Sequence, residues 1–166
     1  MNPANEVCLN GLDEVIETLE WGQKHLGHEE VSMTAESVRF DHCRTPGCFA
    51  GTFGAAYFSR YNKTWAGLSK SHNYSDHADT LARLILPNLV SKREHCESAA
   101  DTFEGFLDEN PLWGNNKGGW ALSSAAAFEE GLYPEYADKD IPLQTVIDHL
   151  KMFRANVKQA GGRGLK

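Results

Sequence analysis

Residues 46–60 read PGCFAGTFGAAYFSR, and this stretch decides the predicted fold. It has no charged residue between Pro46 and Ser59, so a helix formed here is apolar on nearly every side. Its small-residue face comprises Gly47, Ala50, Gly51 and Gly54, and its aromatic face comprises Phe49, Phe53 and Tyr57. Because such a helix belongs in a core, we predict an all-α, single-domain bundle of about five or six helices around a buried central helix at about 46–60.

The start of this helix brings two thiols and an imidazole close together in the sequence. Thr45 is a good helix N-cap and Pro46 suits the first helical position, so the helix is predicted to begin here. Cys48 then lies in the first turn, where free N–H groups and the helix dipole stabilise a thiolate. Cys43 and His42 lie just before the helix.

Three interpretations of this segment are open. The simplest is that Cys43 and Cys48 are free, buried thiols that pack against the glycine-rich helix start. The second is nucleophilic catalysis by Cys48 or Cys43, with a histidine such as His42 as the base. The third is a zinc site, because the spacing of the two cysteines suits paired ligands and His42, His25 and His28 could complete the set. No cofactor is predicted apart from this zinc option.

The pattern Cys43-x-Thr45-x-x-Cys48-x-x-Gly51 resembles a segment of small uncharacterised phage and bacterial proteins. That segment reads Cys-Gly-Thr-x-x-Cys-x-x-Gly, and Arg44 stands where it has Gly. The resemblance implies a phage or mobile-element origin and carries no activity with it.

The composition is that of one globular domain over residues 1–166. Of its residues, 41% are hydrophobic and 23% are charged, which is ordinary for a globular protein and excludes wholesale disorder. The first residues lack the basic and apolar blocks of a signal peptide, and no apolar run approaches the length of a membrane span. We therefore expect a cytoplasmic protein that does not associate with membranes.

The net charge of −7 is unevenly distributed along the chain. The last acidic residue is Asp148, and it is followed by Lys151, Arg154, Lys158, Arg163 and Lys166. The rest of the chain is therefore more acidic than the total indicates, which disfavours nucleic acid and suits a basic protein partner. Glycines near the end predict a flexible basic tail from about residue 159.

The clearest amphipathic helix lies between Asn10, a suitable N-cap, and Gly27, a suitable stop. Its apolar residues are Leu12, Val15, Ile16, Leu19 and Leu26. The opposite face holds Asp13, Glu14, Glu17, Glu20 and Trp21. This face is either a solvated acidic surface or a partner-binding surface formed by Asp13, Glu17, Glu20 and Trp21, because an exposed Trp beside carboxylates is typical of a binding hot spot.

Further helices are predicted along the rest of the chain. One runs from Ser75 to Ile85 and is ended or kinked by Pro87. Another follows Ser91, and its predicted core face consists of Cys96, Ala99, Ala100, Phe103, Phe106 and Leu107. The last one carries the apolar residues Leu143, Val146, Ile147, Leu150, Phe153 and Val157. Residues 31–41 alternate like a strand, but a single stretch cannot form a sheet alone, so we predict an extended connector.

These features together favour a non-enzymatic interaction protein. The acidic body and the lack of a catalytic signature indicate a factor that binds a host or cellular protein through its acidic face, and the resemblance makes it a phage-encoded accessory factor. The alternative is a thiol-dependent or zinc-binding enzyme that uses Cys43 and Cys48.

Overall fold

The computed structural model describes residues 3–32, 49–61, 74–92 and 140–162, together with Ala99, Thr102 and Phe106. Over these residues the chain is predominantly helical, as predicted. It forms a 3-10 turn (Pro3–Glu6) and five α-helices, namely α1 (Leu9–Leu26), α2 (Phe49–Arg60), α3 (Tyr74–Ile85), α4 (Pro87–Lys92) and α5 (Leu143–Gly162). Two short strands, β1 (Glu30–Ser32) and β2 (Asp140–Pro142), accompany the helices. No helix in the described ranges is both long enough and apolar enough to cross a membrane.

Helix α1 begins at a cysteine cap. Cys8 has an extended backbone (φ −83°, ψ 107°), and its Sγ accepts a hydrogen bond from the Gly11 N–H at 3.3 Å. The predicted N-cap, Asn10, is wrong because the helix has already started at Leu9. The start is fixed by α3, since the Cys8 N–H donates to the Ile85 carbonyl oxygen at 2.8 Å.

The far end of α1 is the one predicted. Gly27 ends the helix with a left-handed backbone, φ +69°, which glycine adopts without a Cβ penalty. The predicted core residues Leu12, Val15, Ile16 and Leu19 are all buried. The prediction is wrong for Leu26, which lies in the last turn of the helix and is 40% exposed.

A two-stranded antiparallel sheet joins distant parts of the chain. Val31 pairs with Ile141, and the residues on either side pair in the same register. The predicted extended connector therefore begins as a real strand, while residues 33–41 lie outside the described residues. The Leu143 N–H donates to the Glu29 carbonyl oxygen at 2.7 Å, so the sheet also fixes the start of α5.

Pro87 separates α3 from α4 as predicted. Helix α3 begins at Tyr74, one residue before the predicted Ser75, and ends at Ile85. Pro87 then occupies the first position of α4, where its missing N–H is not needed. The Leu86 N–H still donates to the Ala82 carbonyl oxygen at 2.8 Å, and the Val90 N–H donates to the Leu86 carbonyl oxygen at 3.0 Å, so hydrogen bonding continues on both sides of Pro87.

The core is built from the apolar faces of these helices. In α5 all six predicted residues are buried, and the helix continues to Gly162, beyond the predicted start of a flexible tail at about 159. Beyond α4, the buried positions Ala99 and Phe106 agree with the predicted core face. Helix α1 packs against α2, α3 and α5, while α2 packs against α1, α3 and β1. The predicted start of α2 at Thr45-Pro46 lies outside the described residues.

Candidate functional site

The candidate binding surface is the solvent side of α1, here called the α1 outer face: Asp13, Glu17, Glu20 and Trp21. At about 100° per residue these four positions span roughly 100° of the helix, opposite the core residues. The side chain of Glu17 is 61% exposed. The half-buried Trp21 ring lies against His25, with 4.8 Å between ring centroids and 31° between planes.

The flank of this face that meets α5 is neutralised by basic side chains. Arg154 binds Asp13 with two hydrogen bonds, from Nε to Oδ1 and from Nη2 to Oδ2, the latter at 3.0 Å. The Lys151 Nζ lies 2.9 Å from Glu20 Oε2, and its hydrogen bond to Glu20 raises the pKa of Lys151. Lys151 and Arg154, two of the basic residues that follow Asp148 in the sequence, are thus ionic partners of α1. Two of the four outer-face residues are therefore paired with basic side chains of α5.

The opposite flank meets the end of α2 at Glu14, which the sequence presented as a solvated carboxylate. Glu14 Oε2 accepts hydrogen bonds from Thr18 Oγ1 at 3.0 Å, from Arg60 Nη1 at 3.3 Å and from the Tyr61 hydroxyl. Arg60 Nη1 also donates to Thr18 Oγ1 at 3.1 Å, which explains how this fully buried threonine is satisfied. The Glu14–Thr18 spacing predicts a local contact, but no local signal points to Arg60 or Tyr61, more than forty residues away.

The tyrosines beside Glu14 are held in their protonated form. The hydrogen bond to Glu14 raises the pKa of Tyr61, and burial raises the pKa of Tyr57. The two rings lie edge to face with centroids 5.2 Å apart, and the Arg60 guanidinium lies 5.2 Å from the centre of the Tyr61 ring. Neither tyrosine is an activated nucleophile at neutral pH. The hydrogen bonds of Arg60 and Tyr61 to Glu14 hold the end of α2 against α1.

The thiol and zinc interpretations rest on residues that the structure does not describe, because His42, Cys43 and Cys48 lie outside the described ranges. Of the other zinc candidates, His25 is exposed, whereas His28 is half-buried and burial lowers its pKa. Within the described ranges no group of three or more His, Cys, Asp or Glu side chains could hold a metal ion.

Comparison of the chain with protein-family profiles, with curated proteins and with solved structures gives no match. Among the described residues, the α1 outer face is a surface that can contact another molecule. The half-buried Trp21 and the exposed Glu17 are one turn apart on α1, and Arg60 Nη2 approaches the Glu17 carboxylate only to 3.9 Å. An aromatic ring and a weakly paired charge of this kind can bind an apolar group and a basic group on another molecule.

Proposed function

We propose that this protein is a non-enzymatic interaction protein that binds a host or cellular protein through the α1 outer face. The observation that carries the proposal is the position of the half-buried Trp21 one helical turn from the exposed Glu17. Tryptophan is among the residues most often found at the energetic centre of interfaces, and here it keeps part of its ring accessible. Glu17 is the outer-face carboxylate with the longest contact to a basic side chain of this chain.

The chemistry of the face defines the partner. The partner presents a lysine or arginine to Glu17 and an apolar pocket to the Trp21 ring. The ion pairs of Asp13 and Glu20 form the solvated rim, where charges contribute little affinity but exclude mismatched partners. Together with the resemblance to phage proteins, this favours an accessory factor that acts on a basic host protein in the cytoplasm.

The test is capture of a partner by the immobilised full chain. We expect the double variant Trp21→Ala/Glu17→Ala to recover at least about tenfold less partner from a host lysate than the native chain does. The reason is that hot-spot residues carry most of the binding energy. The matched control is Met152→Ala/Asp148→Ala, which removes one exposed apolar side chain and one exposed carboxylate from α5. Equal recovery by the double variant and the native chain, with both folded by circular dichroism, would contradict the proposal.

We also propose that α2 is the central helix of the bundle. Burial on opposite sides of α2 supports this, since Ala56 lies against Gly22 of α1 while Gly51 and Phe58 are buried on the far side of the helix. Phe49, Thr52, Phe53 and Gly54 are buried as well.

A leucine at position 51 tests this arrangement. If another element packs closely on Gly51, Gly51→Leu overpacks the core and lowers stability by about 1–3 kcal/mol, which is several degrees in melting temperature. Ser59→Leu, at an exposed position of the same helix, is the control and is expected to melt within about 2 °C of the native chain. If both variants melt like the native chain, the small-residue face of α2 is open.

A further inference from the structure

The corner between α1 and β1 connects three elements within a few residues. Gly27 turns the chain, and the His28 N–H then donates to the Gly22 carbonyl oxygen at 3.2 Å. The next carbonyl, that of Glu29, accepts the Leu143 N–H at 2.7 Å, and Glu30 begins the ladder with β2. The backbone of His28 therefore lies between the end of α1 and the residues that bind β2 and the start of α5.

The His28 ring lies against Gly22, and a larger residue at that position would push it away. A Cβ on Gly22 would lie 3.0 Å from His28 Nδ1 and 3.1 Å from Ala56 Cβ, so ring, glycine and α2 are in close contact. His28 Nδ1 is buried and has no hydrogen-bond partner among the described residues. A neutral imidazole tolerates this, because one of its two nitrogens carries no proton and can face an apolar neighbour.

A charged imidazole does not tolerate the same position. It carries a proton on both nitrogens, so protonation would bury an N–H without an acceptor, together with a positive charge. Gly22 of α1 lies against the ring and Ala56 of α2 lies close to Gly22, and neither residue titrates. The ionisable neighbours along the chain, Lys24, His25, Glu29 and Glu30, are all exposed.

We propose that the α1–β1 corner is an acid-sensitive latch, closed while His28 is neutral and opened when His28 takes up a proton. Burial alone lowers the pKa of His28, with no contribution from a neighbouring charge. A histidine whose folded-state pKa is lowered stabilises the fold fully above about pH 6.5, and this contribution is lost as the pH falls through the folded-state value. Opening leaves the Glu29–Leu143 hydrogen bond and the β1–β2 ladder without their anchor on α1.

Hydrogen exchange of the full chain between pH 7.5 and pH 5.0 tests the latch. We expect the protection factors of the His28, Val31 and Leu143 amides to fall below about pH 6.5, by up to about tenfold per pH unit. His28→Phe keeps an aromatic ring but cannot be protonated, so its protection factors at these amides should not depend on pH. The control is His25→Phe, three residues earlier and exposed, which should respond like the native chain.

Two results would overturn the proposal. One is a His28→Phe variant whose corner amides lose protection with acid as steeply as those of the native chain. The other is an NMR titration of the native chain in which the His28 imidazole has a pKa at or above about 6.5. The second measurement needs no variant, so it decides the question even if His28→Phe does not fold.

Discussion

Gly11→Ala is expected to destabilise the protein by about 3 kcal/mol or more, the upper end of what overpacking costs, and to lower the melting temperature by roughly 10 °C. The added Cβ would lie 1.6 Å from the Leu84 carbonyl oxygen, a contact with backbone that no side-chain rotation can relieve. Helices α1 and α3 would have to separate at the place where the Cys8 N–H binds the Ile85 carbonyl. Denaturant unfolding followed by circular dichroism measures the loss.

The neighbouring variant Asn10→Ala is the control for Gly11→Ala. Asn10 is exposed and lies inside α1, so its replacement should change stability by less than about 0.5 kcal/mol. This control also tests the cysteine cap, because the loss of a true N-cap side chain costs about 1 kcal/mol. A Gly11→Ala variant as stable as Asn10→Ala would show that α1 and α3 do not approach as closely as described.

Phe153→Ala should be nearly as damaging, with an expected loss of about 3–5 kcal/mol in the free energy of unfolding. The Phe153 side chain is 2% exposed and belongs to the same core as α1 and α2, so truncation removes a large buried surface and leaves a cavity. Met152→Ala, one residue earlier on α5 and 47% exposed, should shift stability by less than about 0.5 kcal/mol. If Phe153→Ala lowers the free energy of unfolding as little as Met152→Ala does, α5 is not part of this core.

Sequence patterns succeeded where structure depends on neighbours within a few residues. The core faces of α1 and α5 follow from apolar residues at helical spacing, because the positions that share a face are three or four residues apart. Gly27 and Pro87 mark helix ends through their own backbone preferences. Each of these features is determined within a single element.

Features that depend on distant residues were missed. Nothing near Glu14 indicates that Arg60 and Tyr61 bind it, and nothing near Val31 indicates a partner strand at Ile141. Residue type favours Asn10 as the cap, whereas the position at which α1 starts is fixed by a carbonyl of α3. Helical spacing places Asp13, Glu17 and Glu20 on one side of α1, but the ion pairs on its α5 flank come from residues more than a hundred positions later.

The pairing of α1 with α5 has a consequence for synthesis on the ribosome. Asp13 and its partner Arg154 are 141 residues apart, so α1 emerges long before the helix that covers it. At about 5–20 residues per second, roughly ten seconds pass between the two. During that time the apolar side of α1 that later meets α5 is exposed, which makes the nascent chain a substrate for chaperones that bind uncovered apolar segments.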